Sequence, residues 1–81
     1  NDANTWARVT LSVEQFLVNL WKLGALTATR SDEAFYAHCG LGTTMTANDI
    51  HQGIMNIEIG MAVVRPAEFI ILRLQLHSQQ A

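Results

Sequence analysis

His38 and Cys39 stand side by side, the two residue types of a thiol–imidazole dyad. In such a dyad the imidazole takes the thiol proton and the thiolate attacks. The alternation around them reads as a strand, however, and neighbouring strand residues point to opposite faces, out of each other's reach. Cys39 is the only cysteine, so no disulfide framework exists, and a lone cysteine on an apolar strand face fits a small core residue, with intermolecular pairing left open. A thiol enzyme would lose a measurable turnover on Cys39→Ala, whereas a core role predicts only lost stability, about 1 to 3 kcal/mol. His38, His51 and His77 could in principle bind zinc, but their spacing matches no ligand pattern and no second cysteine supports them. Surface histidines are the simpler reading. Glu58 and Glu68 flank Pro66 as a pair of carboxylates, yet in a hairpin the natural partner of Glu58 is Arg73 on the same polar face. Gly40 and Gly42 give G-x-G without a third glycine or a long following helix, which is too little for a phosphate cradle. Met45, Met55 and Met61 read as core fillers, with a sticky methionine surface as the weaker alternative, and Asp32 and Glu33 read as solvated loop charges. No nucleophile, activating base and oxyanion site come together, so neither catalysis nor a cofactor is expected.

The chain that must position these residues has 81 residues, 49% of them apolar and 15% charged. A domain of that size buries only about 60% of the surface its unfolded chain exposes, and a neighbouring subunit is one way to complete it. Five Lys plus Arg against seven Asp plus Glu, with no basic run, argue against a nucleic-acid surface. No apolar stretch approaches the roughly 20 residues needed to span a bilayer, and the start carries no signal-peptide pattern. The chain begins at Asn1 and reads as a fragment of something longer, although processing or trimming would leave the same start.

Trp6, Val9, Val13, Phe16, Leu17, Leu20 and Leu23 recur every three to four residues and predict one amphipathic helix over 5–23. Asn4 or Thr5 would cap its start, and Gly24 after Lys22 its end. Val13, Phe16, Leu17 and Leu20 are its expected core face, with Trp21 at the margin and available to a contact outside the fragment. Residues 24–32 read as a loop and residues 33–39 as a strand, with Phe35, Ala37 and Cys39 on one face and Tyr36 and His38 on the other. Thr46 to Asp49 imitates a capping box for one helical turn over 47–52, closed by Gly53. Residues 54–64 alternate as a second strand with Ile57 and Ile59 inward, and Gly60 in its interior marks a bulge or a close backbone approach. After Arg65-Pro66-Ala67, a third strand sets Ile70, Leu72, Leu74 and Leu76 against Phe69, Ile71, Arg73 and Gln75. Residues 77–81 read as a polar, frayed tail. One helix and about three half-apolar strands predict a two-layer α/β sandwich of the α+β type. The last strand, long, apolar and bearing a single charge after Glu68, has the profile of an edge that pairs with something else.

VEQFLVNLWKLGAL (13–26), EAFYAHCG (33–40) and MTANDIHQGIMNIEIGMAVVRPAEFIILRLQ (45–75) together resemble the carboxyl-terminal domain of contractile tail sheath proteins. These occur in contractile bacteriophage tails, R-type bacteriocins and extracellular injection particles. The most specific pieces are F-L-x-x-L-W-x-x-G-A-L (16–26), E-A-F-x-x-x-C-G (33–40) and I-G-x-A-x-x-x-P-A-E-F (59–69). The resemblance implies a non-enzymatic subunit of stacked rings, assembled in the bacterial cytoplasm, whose partners are other sheath copies, an inner tube protein and baseplate proteins. It implies that the 81 residues are one inner, tube-proximal domain whose sheet is completed by strands from neighbours. The strands over 33–39 and 54–64 would receive, and Glu68, Phe69, Ile70, Ile71, Leu72, Arg73, Leu74, Gln75 and Leu76 would be donated across a hinge at Arg65, Pro66 and Ala67. Two other readings of the third strand and of the chain stay open: an ordinary hairpin, and a stand-alone interaction or adaptor domain of the same fold.

Overall fold

The computed structural model describes residues 1–77; of the tail expected over 77–81, His77 instead ends the last strand, paired opposite Ile54, and residues 78–81 lie outside the described ones. The elements run α1 (Ala3–Lys22), α2 (Ser31–Ala34), β1 (Phe35–His38), α3 (Ala47–His51), β2 (Ile54–Val63) and β3 (Glu68–His77). The strands form one antiparallel sheet in the order β1-β2-β3, and α1 lies over β1 and the middle of β2. This is the predicted α+β arrangement of a helix on a three-stranded sheet.

The start of α1 lies two residues earlier than the apolar pattern indicates, because Asp2 supplies the cap: its carboxylate accepts the Thr5 N–H at 2.9 Å. The end is as expected. Gly24 adopts φ +83, its N–H donates to the Trp21 carbonyl and the Ala25 N–H donates to that of Leu20, a Schellman closure that satisfies two otherwise orphan acceptors.

The helix is rotated relative to the predicted stripe. Leu17 is fully buried, and Val9, Val13, Leu20 and Trp21 pack around it, but Phe16 is 62% exposed. At about 100° per residue, Phe16 lies a quarter turn from Leu17 on one side while Trp21 lies only about 40° away on the other. The sheet therefore takes Trp21 inward and leaves Phe16 out, correcting its assignment to the core. The Trp21 indole N–H donates to the Ala28 carbonyl at 3.1 Å, so its contact is found within this chain.

The expected strand over 33–39 is shorter than its alternation suggests. Residues Ser31–Ala34 make a helical turn instead, with Asp32 and Glu33 favourably placed at its positive amino end. The strand proper is Phe35–His38, paired from Phe35↔Met61 to His38↔Glu58. Within the loop expected over 24–32, Leu26 forms a bridge with Val63 and is buried, although its short apolar context gave no periodic signal. The Thr46/Asp49 capping box is present in full and starts α3.

Ile57 and Ile59 are buried with Leu17, Leu26 and Ala34, and Phe35, Cys39, Met61 and Val63 pack against that cluster. Met45 is buried as well.

Candidate interaction surface

β3 folds back on β2 of its own chain over ten register pairs, from Val63↔Glu68 to Ile54↔His77. In a single chain that is the one β2 available. Residues 64–67 form the turn, and the Arg65–Pro66 peptide is cis. The register puts Ile70, Leu72, Leu74 and Leu76 on the helix side with Met61, Ile59, Ile57 and Met55, and Phe69, Ile71, Arg73 and Gln75 on the outer side. No described helix packs on β3. Leu72, Leu74 and Leu76 therefore stand 43–46% exposed on one side, and Phe69 and Ile71 about half exposed on the other. Five of the ten exposed large hydrophobic residues among those described lie on this one strand, whose far edge has no neighbour. Such an edge offers a row of main-chain donors and acceptors flanked by apolar side chains on both faces.

The outer face carries a polar cluster across all three strands. Tyr36 on β1 donates its hydroxyl to Glu58 Oε2 at 2.8 Å, and Arg73 on β3 donates Nε–H to Glu58 Oε1 at 2.9 Å. The hydrogen bond from Tyr36, with smaller help from Arg73, holds the Glu58 carboxyl below its ordinary range. The same bond pushes the Tyr36 phenol up. The Tyr36 ring also lies 6.1 Å from Phe69 and 4.6 Å from the His38 ring, centroid to centroid. It occupies the space a side chain at residue 60 would need: a Cβ on Gly60 would run into the ring. Neither cause considered for Gly60 is the one realised: the register runs through it without a bulge, and what comes close is an aromatic side chain, not another backbone. Sequence reasoning paired Glu58 with Arg73 but missed Tyr36. The usable signal was a glycine inside one strand beside an aromatic on the polar face of another, a common way to fill a glycine's gap in a sheet.

The other chemistry-bearing residues do not assemble. His38 faces outward beside Tyr36 while Cys39 packs on the core, where burial pushes its thiol up, away from an activated thiolate. No group of three His, Cys, Asp or Glu that could hold a metal occurs among the described residues. Glu68 sits opposite Val63 at the turn end, well along the strand from Glu58. Asp32 pairs with Arg30 at 3.0 Å on the surface. Around Gly40 and Gly42 the chain makes a tight turn whose Gly40 carbonyl accepts the N–H groups of Thr43, Thr44 and Met45, so the G-x-G closes a turn on itself. A shallow cleft beside this turn, lined by Thr44, Asn56, Glu58 and Arg73, is internally satisfied: Thr44 and Asn56 bond each other's carbonyls at 2.6 and 3.1 Å. No described helix is long and apolar enough to cross a membrane.

A helix over one end of a three-stranded sheet, with the opposite edge strand apolar on both faces, defines a module with a surface suited to association. Solved structures agree in kind. The chain is 44% identical to a chain of the anti-feeding prophage baseplate, with a TM-score of 0.76 over 99% of its own length. It is 40% identical to a chain of the PVC sheath complex of an extracellular contractile injection system in the contracted state, with a TM-score of 0.78 over 91%. This chain spans 22% and 21% of those two chains. At this identity over nearly all of its residues, the chain matches a domain of contractile injection system components, in keeping with the sequence resemblance. No family model matches it, and no curated protein does. Both similar chains are parts of multi-protein contractile particles, so the role supported is a structural one within such an assembly.

Proposed function

We propose that the chain is the carboxyl-terminal, tube-proximal domain of a contractile sheath subunit, without catalytic activity, which polymerises around an inner tube and contracts to drive it through a target envelope. Its partners are further copies of the subunit, the tube protein and the baseplate, and assembly takes place in the bacterial cytoplasm. The observation that carries this reading is β3, exposed and apolar on both faces with a free edge, in a chain 40–44% identical to parts of a sheath complex and a baseplate. In the particle, residues 68–76 pair with β2 of an adjacent subunit, and Arg65, Pro66 and Ala67 are the link that lets the strand cross. Strand addition joins copies by main-chain hydrogen bonds, which survive rigid-body motion of the domains as long as the link absorbs the rotation.

Electron microscopy of particles assembled from the full-length parent tests this directly. The expected map has β3 of each subunit against β2 of a neighbour; β3 paired solely within its own chain overturns the crossing. Leu72→Asp in the parent is expected to block polymerisation, and sheaths of normal length from that variant count against an assembly role for the strand.

A further inference from the structure

We infer that Glu58, held in place by Tyr36, selects which strand lies against β2 and in what register, by requiring an arginine opposite it. A strand's side chains alternate with period two, so a slipped strand that keeps its apolar face inward must move by two residues. A slip of two would bring Ile71 or Gln75 opposite Glu58 in place of Arg73. Within the hairpin the turn over 64–67 already sets one register; for a strand that crosses from another copy, main-chain hydrogen bonds and the repeating row Ile70, Leu72, Leu74 and Leu76 barely distinguish the registers. The outer face does. Glu58 is the one charge on β2 and Arg73 the one arginine on β3. Tyr36 fixes the carboxylate from the other side, leaving Oε1 aimed at β3. Its ring also stacks on Phe69, a second contact that a slip of two residues would break. An exposed ion pair adds little stability, but reversing one member sets like charges directly opposite, which disfavours the pairing. The pair therefore discriminates more than it stabilises.

The preference of Glu58 for Arg73 opposite it is a property of the chain itself; its use in selecting the register and identity of a strand from another copy rests on the crossing proposed above. In the 81-residue chain, Arg73→Glu and Glu58→Arg are each expected to speed hydrogen exchange of the β3 amides on the order of threefold to tenfold. The charge-swapped double variant E58R/R73E is expected to recover most of that loss, short of the parent rate because an arginine at position 58 offers the Tyr36 hydroxyl no acceptor, and to keep the cross-strand nuclear Overhauser contacts between positions 58 and 73. Glu58→Gln combined with Arg73→Gln, which removes the charges without swapping them, is expected to keep the register the turn sets and to exchange faster than the parent but slower than either single reversal. A double swap that exchanges as fast as its worse single variant overturns the inference, as does a neutral pair that exchanges as fast as either single reversal. In full-length subunits, mixing parent and E58R/R73E is expected to yield separately sorted sheaths. Rescue within the chain together with random co-assembly would overturn the selection between copies while the pairing preference stands.

Discussion

The two edges of the sheet are built from similar residues and end in different environments. β1 and the central residues of β2 sit beneath α1, where Leu17, Ala34, Ile57 and Ile59 are buried. β3 is longer than β1 and carries six large apolar residues, yet no described helix covers it and five of them stay exposed. Composition is therefore not what makes one edge core and the other surface. A single 20-residue helix covers only part of the sheet, and the strand beyond its reach keeps its apolar side chains for something else.

Substitutions on the two sides should separate accordingly. The largest effect is expected at Leu17→Ala, beneath α1, which removes a fully buried side chain and should lower unfolding free energy by about 2 to 5 kcal/mol in urea titrations. A loss below about 1 kcal/mol would mean that the helix contributes little to the packed half. Next is Gly60→Ala, where the new methyl must displace the Tyr36 ring, at about 1 to 3 kcal/mol. Ultraviolet titration should then show the Tyr36 phenol moving back down towards 10.0 as its bond to Glu58 breaks.

A smaller effect is expected from pH. Glu58 has a folded pKa below its ordinary 4.5, so its contribution is complete above that value and fades as pH falls through the lower folded one. Tyr36 is raised, so its contribution is complete below 10.0 and fades as pH rises through the higher folded value. Both ends of the profile should flatten in Tyr36→Phe, which removes the shared hydrogen bond; unchanged acid and alkaline limbs would assign the dependence elsewhere. The smallest change is expected at Phe16→Ser, within about 0.5 kcal/mol by thermal melting, because that ring already lies in solvent.

Most elements were legible because each rests on local rules. A 3.6-residue period marked α1, a period of two marked β2 and β3, and Thr46 with Asp49 marked the short α3 through hydrogen bonds closed within four residues. The misreadings are those where local pattern met a distant surface. Phe16 and Trp21 both border the apolar stripe, and the sheet's position decided which one turned inward. Glu33 and Ala34 fitted a strand, and Ser31 and Asp32 a loop, until the four together formed a helical turn before Phe35. Leu26 lacked any periodic neighbour to announce that it would bridge to Val63.

By itself the sequence determined the α+β class, the register-defining alternation and the excess of apolar residues on the last strand, since all three follow from side-chain spacing along a continuous backbone. The tertiary structure alone decided that α1 stops short of β3, that Gly60 is the seat of the Tyr36 ring, and that one carboxylate joins three strands. Those facts depend on distances between segments far apart in the chain, which packing sets and spacing does not encode.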